Sequence, residues 1–154
     1  MQLIQATTTE EIDLVRTLFE EYAAALGFSL SFQNFDQEVA ELPGRYEPPS
    51  GRLLLAYQDE SPAGCVGLRK LDDETCEMKR LFIRSEFRKH GLGKVLVQRL
   101  IDEARRIGYK RMRLDTVPGM MDPAIRLYEQ LGFHEISAYY DNPYDEVKYM
   151  ELTL

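Results

Sequence analysis

Cysteine and histidine are scarce in this chain of 154 residues, which contains two of each. Cys65 and Cys76 form no CxxC pair, and His90 and His134 add no recognisable metal-ligand spacing. This usage disfavours both a disulfide scaffold and a structural zinc site. We therefore expect no metal cofactor.

Long hydrophobic runs are also missing. A membrane-spanning helix needs about 20 apolar residues, whereas the longest runs here, such as LLLAY from Leu53, have the length of a strand. The N-terminus has no basic segment ahead of an apolar one, and Glu10, Glu11 and Asp13 come early, which disfavours a targeting peptide. These absences predict a cytoplasmic protein with no membrane partner.

The composition and the charge distribution are informative about fold and ligand. With 44% apolar and 29% charged residues, the chain is expected to form a single globular domain over residues 1–154. The net charge is −7, yet residues 79–113 hold twelve Lys or Arg and only three acids. A basic segment within an acidic chain favours a compact anionic ligand over nucleic acid.

The hydrophobic pattern predicts alternating helices and strands. The first fifty residues predict a strand at 3–7, a helix that begins with a Thr8–Glu11 capping box, and a second helix at 34–42. Three strand-like runs with hairpin spacing follow, beginning at Arg52, Ala63 and Thr75. They predict an antiparallel meander.

The second half changes its period. Apolar residues with helical spacing run from Leu92 to Ile107, and Gly108 ends that helix. A strand at 111–117, a short helix with Asp122 as N-cap and Pro123 as its first residue, and two closing strands complete the order. The pattern predicts an α/β protein of mixed α+β type, in which helices pack against a mixed sheet.

The most informative segment is the loop RKHGLGK at residues 88–94, which joins a strand to a long helix. Gly91 and Gly93 let the backbone approach a ligand closely, and the helix N-terminus leaves N–H donors without partners beside a partial positive charge. Three cations surround the glycines: Arg88, Lys89 and Lys94. The loop therefore suits a diphosphate. A GxGxxG fingerprint would need glycine at Leu96, and a P-loop would need Ser or Thr at Val95, so both nucleotide motifs are disfavoured.

These residues resemble a known family. RKHGLGK is similar to the R/Q-x-x-G-x-G/A pyrophosphate loop of the GNAT superfamily of N-acetyltransferases, and AIRLYEQLGFHEI at 124–136 resembles the family's helix that carries a tyrosine and ends in LGF before a strand. The resemblance covers about residues 52–153. It implies a GNAT-type acyl-CoA N-acyltransferase fold, with a central mixed, mostly antiparallel sheet of about seven strands flanked by about four helices. It also implies acetyl-CoA as cosubstrate.

The resemblance further implies the residues that would hold the cosubstrate. The main chain of Leu81, Phe82 and Ile83 would pair with pantetheine along a splayed strand, and the Leu81 N–H would polarise the thioester carbonyl. The pyrophosphate would lie against the loop and the first turn of the helix, formed by Arg88, Lys89, His90, Gly91, Leu92, Gly93 and Lys94. The simpler interpretation of residues 81–83 is a buried strand, and that of residues 88–94 is a basic loop exposed to solvent.

Two side chains are implied as catalytic. Glu77 lies where relatives place a general-base glutamate, and a desolvated carboxylate would have a raised pKa. An ion pair with Lys79 or a neighbouring arginine is the alternative interpretation of Glu77. Tyr128 lies where the family often keeps a tyrosine that protonates the departing thiolate. A core tyrosine on an amphipathic helix is the alternative interpretation of Tyr128.

The function expected from the resemblance is transfer of the acetyl group of acetyl-CoA to a primary amine, small molecule or peptide, by direct transfer in a ternary complex. The acidic first third of the chain hints at a cationic acceptor, although a solvated helix face would give the same charge count. Tyr139, Tyr140 and Tyr144 precede the last strand, in a loop that can lie over the acceptor pocket in this fold, and surface tyrosines in a turn are the simpler interpretation. A homodimer is possible. The alternatives are a non-catalytic acyl-CoA-binding or sensing domain and, least favoured, a nucleic-acid-binding protein.

Overall fold

The computed structural model describes residues 1–27, 29–119, 121–144 and 146–154. Its strands are β1 (Gln2–Gln5), β2 (Arg52–Gln58), β3 (Ser61–Lys70), β4 (Thr75–Ile83), β5 (Arg111–Thr116), β6 (His134–Ile136) and β7 (Lys148–Thr153). Its α-helices are α1 (Thr9–Ala25), α2 (Phe35–Ala40), α3 (Leu92–Ile107) and α4 (Asp122–Gln130). Short 3₁₀ turns lie at Ser31–Gln33, Gly44–Tyr46 and Ser85–Phe87.

The strands form one mixed sheet in the order β1-β2-β3-β4-β5-β7-β6. All neighbouring pairs are antiparallel except β4 and β5, which are parallel. The predicted element order and the predicted meander of β2, β3 and β4 are confirmed. The long connection through α3 follows from the parallel pair, since parallel neighbours require a crossover.

The two faces of the sheet bury separate apolar clusters. The α3 and α4 face contains Leu96, Leu100 and Met112, each with no exposed surface. The α1 and α2 face contains Leu18 and Phe19, which are equally buried. Successive side chains of a strand point to opposite faces, so Glu77 and Lys79 lie together on the α1 and α2 side, and a bulge in β4 brings Arg80 to the same side.

The helix termini follow the local sequence with one correction. The predicted capping box is confirmed, because the Thr8 hydroxyl accepts from the Glu11 N–H at 3.1 Å and the Glu11 carboxylate accepts from the Thr8 N–H at 3.0 Å. The prediction of Asp122 as N-cap of α4 is wrong. Met121 is the N-cap, and the Asp122 carboxylate instead accepts from the Gly119 N–H at 2.7 Å within the preceding turn.

Candidate active site

A gap in the sheet defines the site. β4 and β5 pair with each other at Thr75–Arg111, Cys76–Met112 and Glu77–Arg113. Beyond these pairs, β4 continues to Ile83 and β5 to Thr116 with no further pair between the two strands among the described residues. Among the described residues, the edge of β4 that faces β5 therefore has no strand partner at Leu81, Phe82 and Ile83. An extended ligand can add to such an edge through main-chain hydrogen bonds.

The loop between β4 and α3 provides a row of free N–H groups. Within the described ranges, no group accepts a hydrogen bond from the backbone N–H of residues 89–94, and the first bond of α3 runs from Val95 N–H to Gly91 C=O. Lys89 and Gly91 have φ of 70° and 75°, a conformation that glycine adopts without strain. Successive N–H groups at the N-terminus of a 16-residue helix form a site for an anion.

Cations of the loop are available to that anion. Among the described residues, no carboxylate lies within ion-pair distance of Arg88, Lys89 or Lys94, and all three side chains are exposed. The Arg88 Nε donates to the Ile83 carbonyl at 2.9 Å, and its guanidinium lies 5.9 Å from the Phe82 ring centroid. Arg88 thereby connects the loop to the C-terminal end of β4. His90 is exposed in the same loop.

Glu77 lies at the base of the gap and is almost fully buried. Its Oε1 accepts from Arg69 Nε at 2.7 Å, and its Oε2 accepts from the Tyr139 hydroxyl at 2.6 Å. The sheet register places Arg69, Glu77, Arg113 and Glu151 side by side on four strands, which makes a lateral row of alternating charges. Arg113 continues the row to Glu151 at 2.9 Å and lies over the Tyr139 ring. Both carboxylate oxygens of Glu77 thus have partners within the protein.

Arg80 holds a bulge in β4 against the helices. Its φ is 62°, and the pairing of β3 with β4 shifts register opposite it. The guanidinium makes two 3.1 Å hydrogen bonds to the Glu38 carboxylate and lies over the Phe35 ring at 5.1 Å. Burial alone would raise the pKa of Glu38, but the hydrogen bonds and charge of Arg80, with the Tyr46 hydroxyl, leave that pKa lowered. This buried pair connects α2 to the strand that borders the gap.

A cleft opens on the same face, between α1, the end of β5 and the segment before β7. It has an empty volume of about 300 Å³, including space open to solvent. Its polar wall is formed by Tyr22, Gln33, Arg80, Asp115 and Thr116, and its apolar wall by Leu26, Leu30, Val117, Met121 and Val147. Glu77 does not line this cleft.

Asp115 is the carboxylate of the cleft. Its Oδ2 accepts hydrogen bonds from the Tyr140 hydroxyl and, at 3.5 Å, from Gln33 Nε2, while Lys79 Nζ lies 3.7 Å from its Oδ1. Burial alone would raise the pKa of Asp115. The positive charge of Lys79 and the hydrogen bond from Tyr140 outweigh the effect of burial, so the pKa is lowered. Lys79 is itself buried, which lowers the pKa of its ammonium, and its Nζ donates to Gln33 Oε1 at 3.0 Å.

Tyr128 is on α4. Its ring packs against Phe133 with centroids 5.7 Å apart, in the apolar cluster beneath α3 and α4. Burial raises the pKa of its hydroxyl, and the described residues offer that hydroxyl no hydrogen bond. Gly93 of α3 contacts α4 through Leu127, so the helix that carries Tyr128 lies next to the loop.

The structure therefore brings the sequence-predicted residues to one region but gives them different surroundings. The loop residues other than the buried Leu92, and the end of β4, are at least partly exposed. Tyr128 is buried, and Glu77 is enclosed by its partners. Sequence reasoning did not single out Gln33, Arg80 or Asp115 as site residues. The available signals were a Lys79–Arg80 pair inside a mostly apolar strand and an isolated acid in the strand RMRLDTV.

Comparison with known proteins identifies the family. Residues 14–133 match the model of the Acetyltransferase (GNAT) family. The chain belongs to this family. Two uncharacterized N-acetyltransferases support the assignment: one from Dictyostelium discoideum is 36% identical over 94% of this chain and 95% of its own, and one from Schizosaccharomyces pombe is 39% identical over 94% and 90%. YncA, a putative acetyltransferase of Salmonella typhimurium solved with its cofactor acetyl-CoA, superimposes with a TM-score of 0.73 at 22% identity, over 99% of this chain and 92% of that one.

The GNAT fold predicted from the motifs is confirmed, with seven strands and four α-helices among the described residues. Each helix of the described ranges is too short or too polar to span a bilayer. Nor do the described residues gather three or more His, Cys, Asp or Glu side chains in a group that could hold a metal ion.

Proposed function

We propose that this GNAT protein transfers the acetyl group of acetyl-CoA to a primary amine, directly and within a ternary complex. The observation that carries the proposal is the row of N–H groups at residues 89–94, which have no acceptor among the described residues, lie among cations with no carboxylate partner there, and adjoin an open strand edge. A diphosphate joined to an extended arm is complementary to both features. The acetyl-CoA bound to the structurally similar YncA gives further support.

The arm of the cosubstrate would continue from the loop along β4. Its amide groups would bond the main chain of Leu81, Phe82 and Ile83, while their side chains stay packed in the two apolar clusters. This path would bring the thioester to the gap between β4 and β5. There the Leu81 N–H would donate to the carbonyl oxygen as negative charge develops on it.

The reaction requires a neutral amine, because an ammonium has no lone pair. The nitrogen pair attacks the thioester carbon and the C=O π pair moves to oxygen. When the tetrahedral intermediate collapses, the C–S bond breaks and CoA leaves as a thiolate, which takes a proton. The net change converts ammonium and acetyl thioester into amide, thiol and one proton.

Tyr128 would supply the proton of the thiol. Its raised pKa keeps the hydroxyl protonated at neutral pH, and its lack of a partner among the described residues leaves it able to donate towards a sulfur in the gap. The family pattern predicts Glu77 as the base. To contact an amine directly, the Glu77 carboxylate would have to give up its hydrogen bond with Arg69 or with Tyr139.

The test is thiol release from acetyl-CoA across a panel of amines, amino acids, polyamines and peptides, with mass spectrometry of the products. We expect equal amounts of free thiol and acetylated amine for at least one acceptor class, and no acetylated protein with acetyl-CoA alone. CoA binding without thiol release for any amine would favour the non-catalytic acyl-CoA-binding alternative. Glu21 and Glu38 are paired with Arg84 and Arg80, so the panel includes neutral and anionic acceptors beside cationic ones.

A further inference from the structure

Two carboxylates border the gap between β4 and β5, and they differ in what they can reach. We propose that Asp115, rather than Glu77, contacts the acceptor amino group and takes its proton. This inference rests on the proposed function and names a residue for its first step. Asp115 has one oxygen that accepts no hydrogen bond from the described residues and one that is held in place, whereas both oxygens of Glu77 have partners.

Asp115 has one oxygen available to a ligand. No described donor lies within hydrogen-bonding distance of Oδ1, and the nearest cation, Lys79 Nζ, is 3.7 Å away. The side chain is 16% exposed and lines the cleft. The Glu77 side chain is 2% exposed, and each of its oxygens already accepts a hydrogen bond. Of these two carboxylates, only Asp115 can accept from an entering amine without losing a partner.

The other oxygen of Asp115 fixes the direction of the carboxylate. The Tyr140 hydroxyl and Gln33 Nε2 both donate to Oδ2. The Tyr140 hydroxyl is held in turn by Asn142 Nδ2 at 3.0 Å and by Gln33 Nε2 at 3.1 Å. Catalytic groups need such support, because a group that rotates freely loses much of the benefit of proximity. The free oxygen is therefore presented in a defined orientation.

The strand register places Asp115 where the transfer would occur. Pairing between β4 and β5 ends at Glu77–Arg113, and Asp115 follows two residues later on the same face of β5. Continued past the last pair, this register sets Asp115 opposite Lys79, at the start of the opened part of the gap and two residues before Leu81. Lys79 and Arg80 provide nearby positive charge that keeps the carboxylate ionised. An ionised carboxylate stabilises the incoming ammonium and accepts one of its protons, and the neutral nitrogen, which then has a lone pair, attacks the thioester carbon.

Glu77 has a different task in this arrangement. It neutralises Arg69, receives the Tyr139 hydroxyl, and lies between two arginines in the row of alternating charges. Its loss would disturb the segment that carries Tyr139 and Tyr140. Glu77 thus acts as a positioning residue for the loop that orients Asp115.

The test compares Asp115→Asn with Glu77→Gln under saturating acetyl-CoA, with kcat and KM measured for the best acceptor of the panel. Each variant is also titrated with CoA and melted. We expect Asp115→Asn to lower kcat by about 100-fold, the usual lower range for a general base, with the CoA affinity changed less than twofold. Glu77→Gln should lower kcat by less than tenfold and should lower the melting temperature.

A second variant controls for destabilisation by the charge that Asp115→Asn leaves unpaired. Because Asp115→Asn leaves Lys79 without its carboxylate, the double variant Lys79→Met/Asp115→Asn removes both charges together, and we expect it to bind CoA and to have the same low kcat. A kcat within threefold of wild type in either Asp115 variant would overturn the assignment. So would a Glu77→Gln protein that binds CoA normally, melts normally and has lost kcat as fully as Asp115→Asn. Absence of thiol release by the wild type itself would refute the proposed function, and this inference with it.

Discussion

Replacement of Gly91 by glutamate tests the diphosphate site by adding a negative charge to it. Gly91 is the N-cap of α3 with φ of 75°, and a side chain added there would meet no atom within 4 Å. Any substitution therefore costs backbone strain without a steric clash. That cost is about 1 kcal/mol for a residue other than glycine, which lowers the melting temperature by about 2–4 °C in a chain of this size.

Glutamate adds a negative charge next to the N–H groups that would bind the diphosphate. Two unit charges 4 Å apart interact by about 1 kcal/mol in water and about 4 kcal/mol at an effective dielectric constant of 20. Because residue 91 is exposed, the lower part of that range applies, and a ligand with two charges gives about 1–3 kcal/mol. The dissociation constant for CoA should therefore rise by about 5- to 150-fold.

Isothermal titration calorimetry with CoA measures the effect, and two matched variants separate its causes. Gly91→Ala reports the strain, and Gly91→Gln reports the strain with a side chain of the same size and no charge. A carboxylate favours a helix N-terminus, so Gly91→Glu should be at least as stable as Gly91→Gln while it binds CoA more weakly. The difference should shrink at high salt. Equal CoA affinity in the Glu and Gln variants would refute the reasoning.

Three further predictions concern the reaction and the stability of the site. Tyr128→Phe should lower kcat by about 100-fold and leave the CoA dissociation constant unchanged; unaltered turnover would exclude the tyrosine as the proton donor. Glu38→Gln should cost about 3 kcal/mol of unfolding free energy in urea, because it breaks a buried pair and leaves Arg80 uncompensated; a cost below 1 kcal/mol would show that the pair does not hold the β4 bulge. Since the pKa of Glu38 is lowered from 4.5 in the folded protein, its contribution is present above that pH and is lost as the pH falls through the folded pKa. Wild type should accordingly lose stability relative to Glu38→Gln in acid, as followed by thermal melts at several pH values, and parallel melting curves would contradict this.

The fold was predictable because its signals are local. The Thr8–Glu11 capping box, the turns between the meander strands and the glycine at the end of α3 each act over a few residues, and all three appear where the sequence places them. The N-cap of α4 was missed by one residue. Asp122 has the right chemistry for a cap, but its carboxylate bonds within the preceding turn, and only the three-dimensional path of that turn decides between the two.

The site was predictable where main chain forms it and less so where side chains meet across strands. The glycines and cations of residues 88–94 are contiguous, so their common purpose is visible in the sequence. Asp115 and Gln33 are 82 residues apart along the chain and meet only through the sheet register and the turn after α1. Arg69 meets Glu77 across the β3–β4 pair, and Tyr139 meets it from the segment before β7. The spacing of residues along β4 reveals neither contact.

Amide hydrogen exchange with and without CoA tests the central claim directly, because it reports on the backbone N–H groups of residues 89–94 that are proposed to bind the diphosphate. These N–H groups have no acceptor among the described residues, so they should exchange rapidly in the free protein and slow down strongly when CoA is added. Residues 81–83 should be protected with them, while the termini of α1 should not change. Unaltered exchange at 89–94 under saturating CoA would contradict the account.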